Sequence, residues 1–161
     1  MARWLVKEEP THYSYHDLAR DGTTAWSGVH NALALRNLKA MRPGDEVLYY
    51  HSGTVRAVAG IAKVTTTPKP DPDDDRGSWW VQIAAVRPLR NLVSLATLKV
   101  DPSLAQFDLV RIGRLSVISV GEEEWARILS YETGATRPAQ STAAGRRPKR
   151  RSATARKRGS T

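Results

Sequence analysis

The chain contains no cysteine, which excludes disulfides, zinc ribbons and thiol chemistry at the outset. It has no long apolar run either. Stretches such as Val47-Leu48-Tyr49-Tyr50 stop after a few residues, far short of the roughly 20 needed to cross a bilayer, so no membrane segment is expected. Glu8 and Glu9 fall within the first ten residues, and no apolar stretch of signal-peptide length precedes them, so secretion has no support. Acidic residues are missing from one region only. Met1 to Glu132 holds sixteen Lys and Arg against sixteen Asp and Glu, whereas Thr133 to Thr161 holds nine basic residues and no acid, so the net charge of +9 belongs entirely to the tail. The tail also lacks aromatics and has alanine as its only apolar residue. Such a segment cannot bury enough surface to offset the entropy of ordering, and 133–161 is expected to be disordered.

The 161 residues leave room for about one domain. Every Trp, Tyr and Phe lies before residue 133, which places a domain at 1–132. Runs rich in Val, Ile, Trp and Tyr predict strands over Arg3–Val6, Asp45–His51, Val55–Thr66, Ser78–Val86 and Leu115–Val120. Pro43-Gly44-Asp45 and Ser52-Gly53 read as turns, and 68–77, PKPDPDDDRG, reads as a solvated acidic loop. Ser14 with Asp17 three residues on forms a capping box for a helix ending near Gly22, and Asn31 can cap a helix over Ala32–Met41. Glu122, Glu123 and Glu124 suit the first turn of a helix whose buried stripe is Trp125, Ile128 and Leu129. Five strands with short helices between them predict an α+β domain or small barrel.

The enzyme signatures are weak. His12 and His16 are four apart, but His12 precedes the Ser14 cap and no third metal ligand lies nearby. Nucleophile elbows, phosphate loops and zincin motifs are absent, although a Ser-His-Asp set scattered along the chain stays open. The informative stretches mix aromatic and polar residues at element ends. Trp26-Ser27-Gly28-Val29-His30-Asn31 closes an extended segment with a Trp, then offers a permissive glycine and polar residues at a helix start, which could form one wall of a pocket. Tyr49-Tyr50-His51-Ser52 runs from strand to loop, so Tyr50 and Ser52 face one side and Tyr49 and His51 the other, one pair core and the other exposed. Core packing is the simpler reading of Trp4, Trp80 and Trp125.

Six blocks taken in order carry a resemblance: Trp4-Leu5-Val6-Lys7-Glu8-Glu9-Pro10 with Tyr13-Ser14; Trp26 to Asn31; Gly44-Asp45; Tyr49 to Ser52; Gly60-Ile61-Ala62; and Leu109-Val110-Arg111 with Arg114-Leu115-Ser116-Val117. Across residues 2–131 the chain resembles the EVE domain family of the PUA-like superfamily, which also includes the YTH and SRA readers of methylated bases. The resemblance implies a PUA-like, small, partly open β-barrel with flanking short helices, and a pocket for a modified base turned out of its strand. Its implied base-facing residues are Trp26, Val29, His30, Asn31, Tyr50, His51, Ser52, Arg114, Leu115 and Ser116. The chain departs from the family pattern at His30, usually Arg, at Gly53, usually Asn, and at 32–36.

Backbone phosphates would be met by Lys7 and Arg111 and by the tail cations Arg146, Arg147, Lys149, Arg150, Arg151, Arg156, Lys157 and Arg158, since a flexible polycation binds phosphates without reading sequence. The expected function is a non-enzymatic reader of a modified base, with modified cytosine in DNA favoured over RNA, and with no metal or cofactor. An enzyme acting on a modified nucleotide through His30 or His51 is the rival, and a reader of a modified RNA base is a further alternative. A monomer is expected, with a separate nuclease or other effector as a candidate partner. The composition suggests a bacterial cytoplasmic, nucleoid-associated protein; in a nucleated cell the PKRR run would direct nuclear import.

Overall fold

A computed structural model of the chain describes residues 1–133. In order along the chain the elements are β1 (Arg3–Glu8), α1 (Tyr15–Asp21), β2 (Thr23–Trp26), α2 (Ala32–Ala40), β3 (Glu46–His51), β4 (Ala57–Val64), β5 (Lys69–Pro70), β6 (Trp79–Ser94), α3 (Leu95–Lys99), α4 (Asp108–Arg111), β7 (Val117–Ser119) and α5 (Glu122–Ser130). Six strands form one sheet in the order β2-β6-β4-β3-β1-β7, and the two-residue β5 pairs with the start of β6. The sheet curls into an open half-barrel flanked by short helices, the architecture expected from the sequence.

Local chemistry accounts for the element ends. Ser14 Oγ accepts the Asp17 N–H at 3.0 Å while Asp17 Oδ2 accepts the Ser14 N–H at 2.9 Å, which is the capping box read from the sequence. Asn31 Oδ1 accepts the Ala34 N–H at 3.0 Å and starts α2. Buried Asp45 receives the Ala2 N–H, the Trp4 indole N–H and the Arg42 N–H, so one carboxylate ties the start of β3 to the start of β1. Those two strands run parallel, joined through α1, β2 and α2, and their C-terminal ends bring Lys7 beside Tyr50 and Glu8 beside His51. Helix α2 reaches from one side of the curl to the other. Its Asn37 amide donates to the Val117 carbonyl of β7, and the Lys39 ammonium lies 4.8 Å from the Trp79 ring of β6.

Several expectations are corrected. Strand β6 does not stop at Val86 but continues through Pro88 to Ser94. Pro88 is tolerated because it meets Gly60 where the β4–β6 register shifts, and a residue without an N–H costs least at such an irregularity. Strand β4 begins at Ala57, two residues later than expected, after Arg56 adopts a left-handed φ of +51°. Tyr49 and Tyr50 are both buried, so neither face of the β3 end is open, contrary to the alternation reading. The acidic loop is docked rather than simply solvated, as its contacts below show.

Candidate nucleic-acid interface

Tyr49 is the hub of an aromatic cluster drawn from three elements. Trp26 at the end of β2 meets it edge to face with ring centroids 5.7 Å apart, Tyr15 of α1 meets it at 5.7 Å, and His51, two residues on along β3, at 5.8 Å. The Tyr49 hydroxyl donates to the Tyr13 carbonyl at 2.7 Å, which fixes the ring, and burial pushes its pKa far up. Trp26 retains 7% exposure. It is nearly a core residue; Tyr49 and Tyr15 are buried, so the accessible part of the cluster is the remainder of Trp26 together with half-buried His51.

His51 occupies the rim of this cluster, where its Nε2 accepts the Tyr15 backbone N–H at 3.0 Å. Burial lowers its pKa to about 4, so the imidazole is neutral at physiological pH. Beside it, Glu8 is engaged by His12, and burial raises its carboxyl pKa against the opposing pull of that imidazole. The Ser52 N–H donates to the Glu8 carbonyl at 3.0 Å and prolongs the β1–β3 pairing past the strand ends.

The segment from Trp26 to Asn31 is held by the acidic loop. Gly28 turns it with φ +74°, the Val29 N–H donates to the buried Ser78 hydroxyl at 3.0 Å, and His30 Nε2 lies 2.6 Å from Asp74 Oδ2. The Arg76 backbone N–H, and after it His30, hold the Asp74 carboxyl below its ordinary range. Val29 is itself buried, and Asn31 is occupied as the α2 cap.

Tyr50 belongs to the opposite face of β3. The Lys7 ammonium lies 5.7 Å from its ring centroid and donates to the Gly113 carbonyl at 2.9 Å, while burial lowers the Lys7 pKa. The Lys7 N–H reaches the Ser116 carbonyl at 3.0 Å, which brings 113–116 to the same strand end. Leu115 is core, Ser116 is half-buried, and Arg114 is exposed with no hydrogen bond or ion pair among the described residues. Arg111 is engaged locally by Asp108 and by the Gln106 carbonyl.

The sequence candidates therefore fall into two groups. Trp26 and His51 meet Tyr49, with Ser52 just past the strand end, while Val29, His30 and Asn31 follow Trp26 in the chain but are bonded to Ser78, Asp74 and the start of α2; Tyr50 and Lys7 meet on the other face, where Lys7 bonds the Gly113 and Ser116 carbonyls. Sequence reasoning did not single out Tyr15 and Tyr49. The period-2 pattern of β3 did put Tyr49 with His51, but the register that seats Trp26 on Tyr49 is a long-range feature. Arg146 to Arg158 lie outside the described residues. Among the described residues, no group of three or more His, Asp or Glu is placed to hold a metal, and no helix is long and apolar enough to cross a membrane.

Comparison with known proteins identifies relatives of the chain and of its fold. The EVE domain profile matches residues 2–131. A solved protein of Rhodopseudomonas palustris is 37% identical, with a TM-score of 0.78 over 88% of this chain and 99% of its own. Human thymocyte nuclear protein 1 is 28% identical over 166 residues, 81% of this chain and 74% of the human protein. Its crystal structure in complex with DNA containing 5-methylcytosine superposes with a TM-score of 0.74, covering 82% of this chain and 98% of that one.

Proposed function

We infer, for a chain that belongs to the EVE domain family, that it is a non-enzymatic reader of DNA carrying a modified cytosine, which it holds at the Trp26–His51 rim of the Tyr49 cluster. The observation that carries this reading is the human relative, which presents the same fold to 5-methylcytosine DNA. Stacking on an aromatic face is worth about 1–3 kcal/mol per base, enough for selectivity once polar contacts at the base edge add to it. In this reading Trp26, Val29, His30, Asn31, His51 and Ser52 frame the base, while Lys7, Arg114 and the basic tail meet the sugar-phosphate backbone, with Tyr50 packed beneath Lys7.

The chemistry around the histidines favours a reader over an enzyme. His51 is neutral, and its Nε2 is occupied by a backbone donor, so it is poorly suited to shuttle protons near neutral pH. His30 and Asp74 form a pair of the kind that orients a general base, yet among the described residues no hydroxyl is bonded to the second imidazole nitrogen. The pair instead joins two loops.

A binding panel of duplexes carrying cytosine, 5-methylcytosine or other modified cytosines tests the reading, combined with mass spectrometry of the nucleosides after incubation. Preference for a modified duplex with unchanged nucleosides is expected; a new nucleoside, or equal affinity across the panel, overturns it. The tail has its own readout. If 134–161 neutralises about five phosphates, truncation after Thr133 should reduce the slope of log affinity against log salt by roughly 4 to 5. An unchanged slope would show that the tail takes no part.

A further inference from the structure

A backbone N–H can only donate, so the His51 nitrogen that faces the Tyr15 N–H at 3.0 Å must present its lone pair. In a neutral imidazole this puts the proton on Nδ1. Two carboxylates stand on the neighbouring elements, Glu8 paired with His51 across β1–β3 and Asp17 on α1, and neither bonds the His51 ring among the described residues. Glu8 Oε2 is engaged by His12; Asp17 Oδ2 accepts the Ser14 N–H at 2.9 Å and Oδ1 accepts from Arg20 at 3.1 Å. Tyr49, the other titratable neighbour, meets the ring edge to face and spends its hydroxyl on the Tyr13 carbonyl, and Ala57 opposite on β4 is apolar. The His51 N–H thus has no acceptor among the described residues, and it sits on a partly exposed ring at the rim of the cluster that contains Trp26.

We propose that His51 is a fixed hydrogen-bond donor of the base pocket, its Nδ1–H reading an acceptor, O2 or N3, on the edge of a cytosine held beside Trp26 at the rim of the cluster. This rests on the reader function inferred above and adds a chemical criterion to it. The pocket selects a base that turns an acceptor toward His51 and disfavours one that turns a donor there, because two facing donors leave both unpaired. Tyr15 is the positioning residue: its backbone N–H sets the tautomer and so determines that His51 donates.

The tautomer is measured first, on the full chain, by long-range proton–nitrogen NMR of the imidazoles. His51 should carry its proton on Nδ1 and stay neutral through pH 6; a proton on Nε2, or protonation above pH 6, overturns the proposal. Binding is then compared for duplexes bearing 5-methylcytosine, its 3-deaza analogue, which lacks the N3 acceptor, and its 2-thio analogue, whose sulfur is a weak acceptor. Wild type, His51→Phe and His51→Gln form a double-mutant cycle with these bases, so that effects of an analogue on the duplex itself cancel.

At least one analogue should weaken binding by wild type about tenfold more than binding by His51→Phe. His51→Gln, whose amide can both accept from Tyr15 and donate to the base, should restore sensitivity to the same analogue. Equal losses in wild type and His51→Phe overturn the proposal while the reader function stands. If wild type does not prefer 5-methylcytosine to cytosine, the reader function itself fails and the proposal with it. If His51→Phe folds poorly, His51→Leu takes its place in the cycle, and the tautomer measurement on wild type stands in either case.

Discussion

Tyr15 and Gly60 occupy space that only this pairing allows: a Cβ on Gly60 would stand 2.5 Å from Cε1 of the Tyr15 ring. The requirement is for room, since the Gly60 backbone is not left-handed. The Tyr15 hydroxyl donates to the Ile61 carbonyl at 2.6 Å, and its backbone N–H holds His51, so the ring that fills the gap over Gly60 also sets the rim of the candidate site.

Gly60→Ala should therefore destabilise the domain by about 1–3 kcal/mol, because the ring lies between backbone and Tyr49 and cannot yield without losing its hydroxyl contact. Gly113→Ala is the control. No atom stands within 4 Å of a Cβ there, and the change should stay within about 0.5 kcal/mol. Denaturant unfolding of the two variants measures the difference, and equal effects would contradict the packing account.

Ser78→Ala should cost more than its size suggests. The hydroxyl is buried, accepts the Val29 N–H and donates to the Trp79 carbonyl at 3.0 Å, so its removal leaves a buried N–H unpaired at about 1–3 kcal/mol. Asp74→Asn breaks a partly exposed contact with His30 and should hardly move the melting temperature. Thermal melts separate the two, and a larger drop for Asp74→Asn would reverse the assignment of which bond anchors the segment from Trp26 to Asn31.

Acid should weaken the fold through two carboxylates. Arg127, and after it Tyr131, hold the Asp101 carboxyl far below its ordinary range; Arg87 holds Glu132 down through paired contacts at 3.0 and 2.7 Å. Both pKa values are lower in the folded state than in the unfolded chain, where they lie near about 4, so the unfolded state takes up protons first. Their contribution is complete above about pH 5 and declines as pH falls through 4 and below. The melting temperature of wild type should fall over that window, while Asp101→Asn and Glu132→Gln start lower at pH 7 and fall less. Parallel curves would mean that other groups carry the acid response.

The sequence disclosed what is local. The Ser14 box, the Asn31 cap and the Trp125 stripe are short-range chemistry, and the structure places each as expected. It did not disclose features set by distant partners. Nothing near Pro88 announces that β6 will pass it, because the allowance is made by Gly60 on β4. Helices α3 and α4 are four or five residues long and lack a full amphipathic period. Trp26, His51 and their polar neighbours were legible as candidates from composition at element ends. That Tyr49 rather than Tyr50 backs Trp26, and that Asp74 reaches His30 across 44 positions, follows from register and loop docking.

Trp26 decides whether base discrimination resides in the Tyr49 cluster. Backbone contacts made by Arg and Lys are indifferent to base chemistry, whereas an aromatic face reads the flipped base. Loss of about 1–3 kcal/mol of stacking should reduce affinity of Trp26→Ala for a modified strand by roughly 5- to 150-fold and barely change affinity for an unmodified one. With only 7% exposure, Trp26 also contributes to the core, and truncation to Ala should cost about 3–5 kcal/mol of stability. Trp26→Phe separates the two effects, because it keeps an aromatic ring against Tyr49 and fills most of the space. It should remain folded by circular dichroism and lose part of the preference. If folded Trp26→Phe lost affinity equally for modified and unmodified strands, Trp26 would be a packing residue, and the base would be read from the opposite face, where Tyr50 lies beneath Lys7.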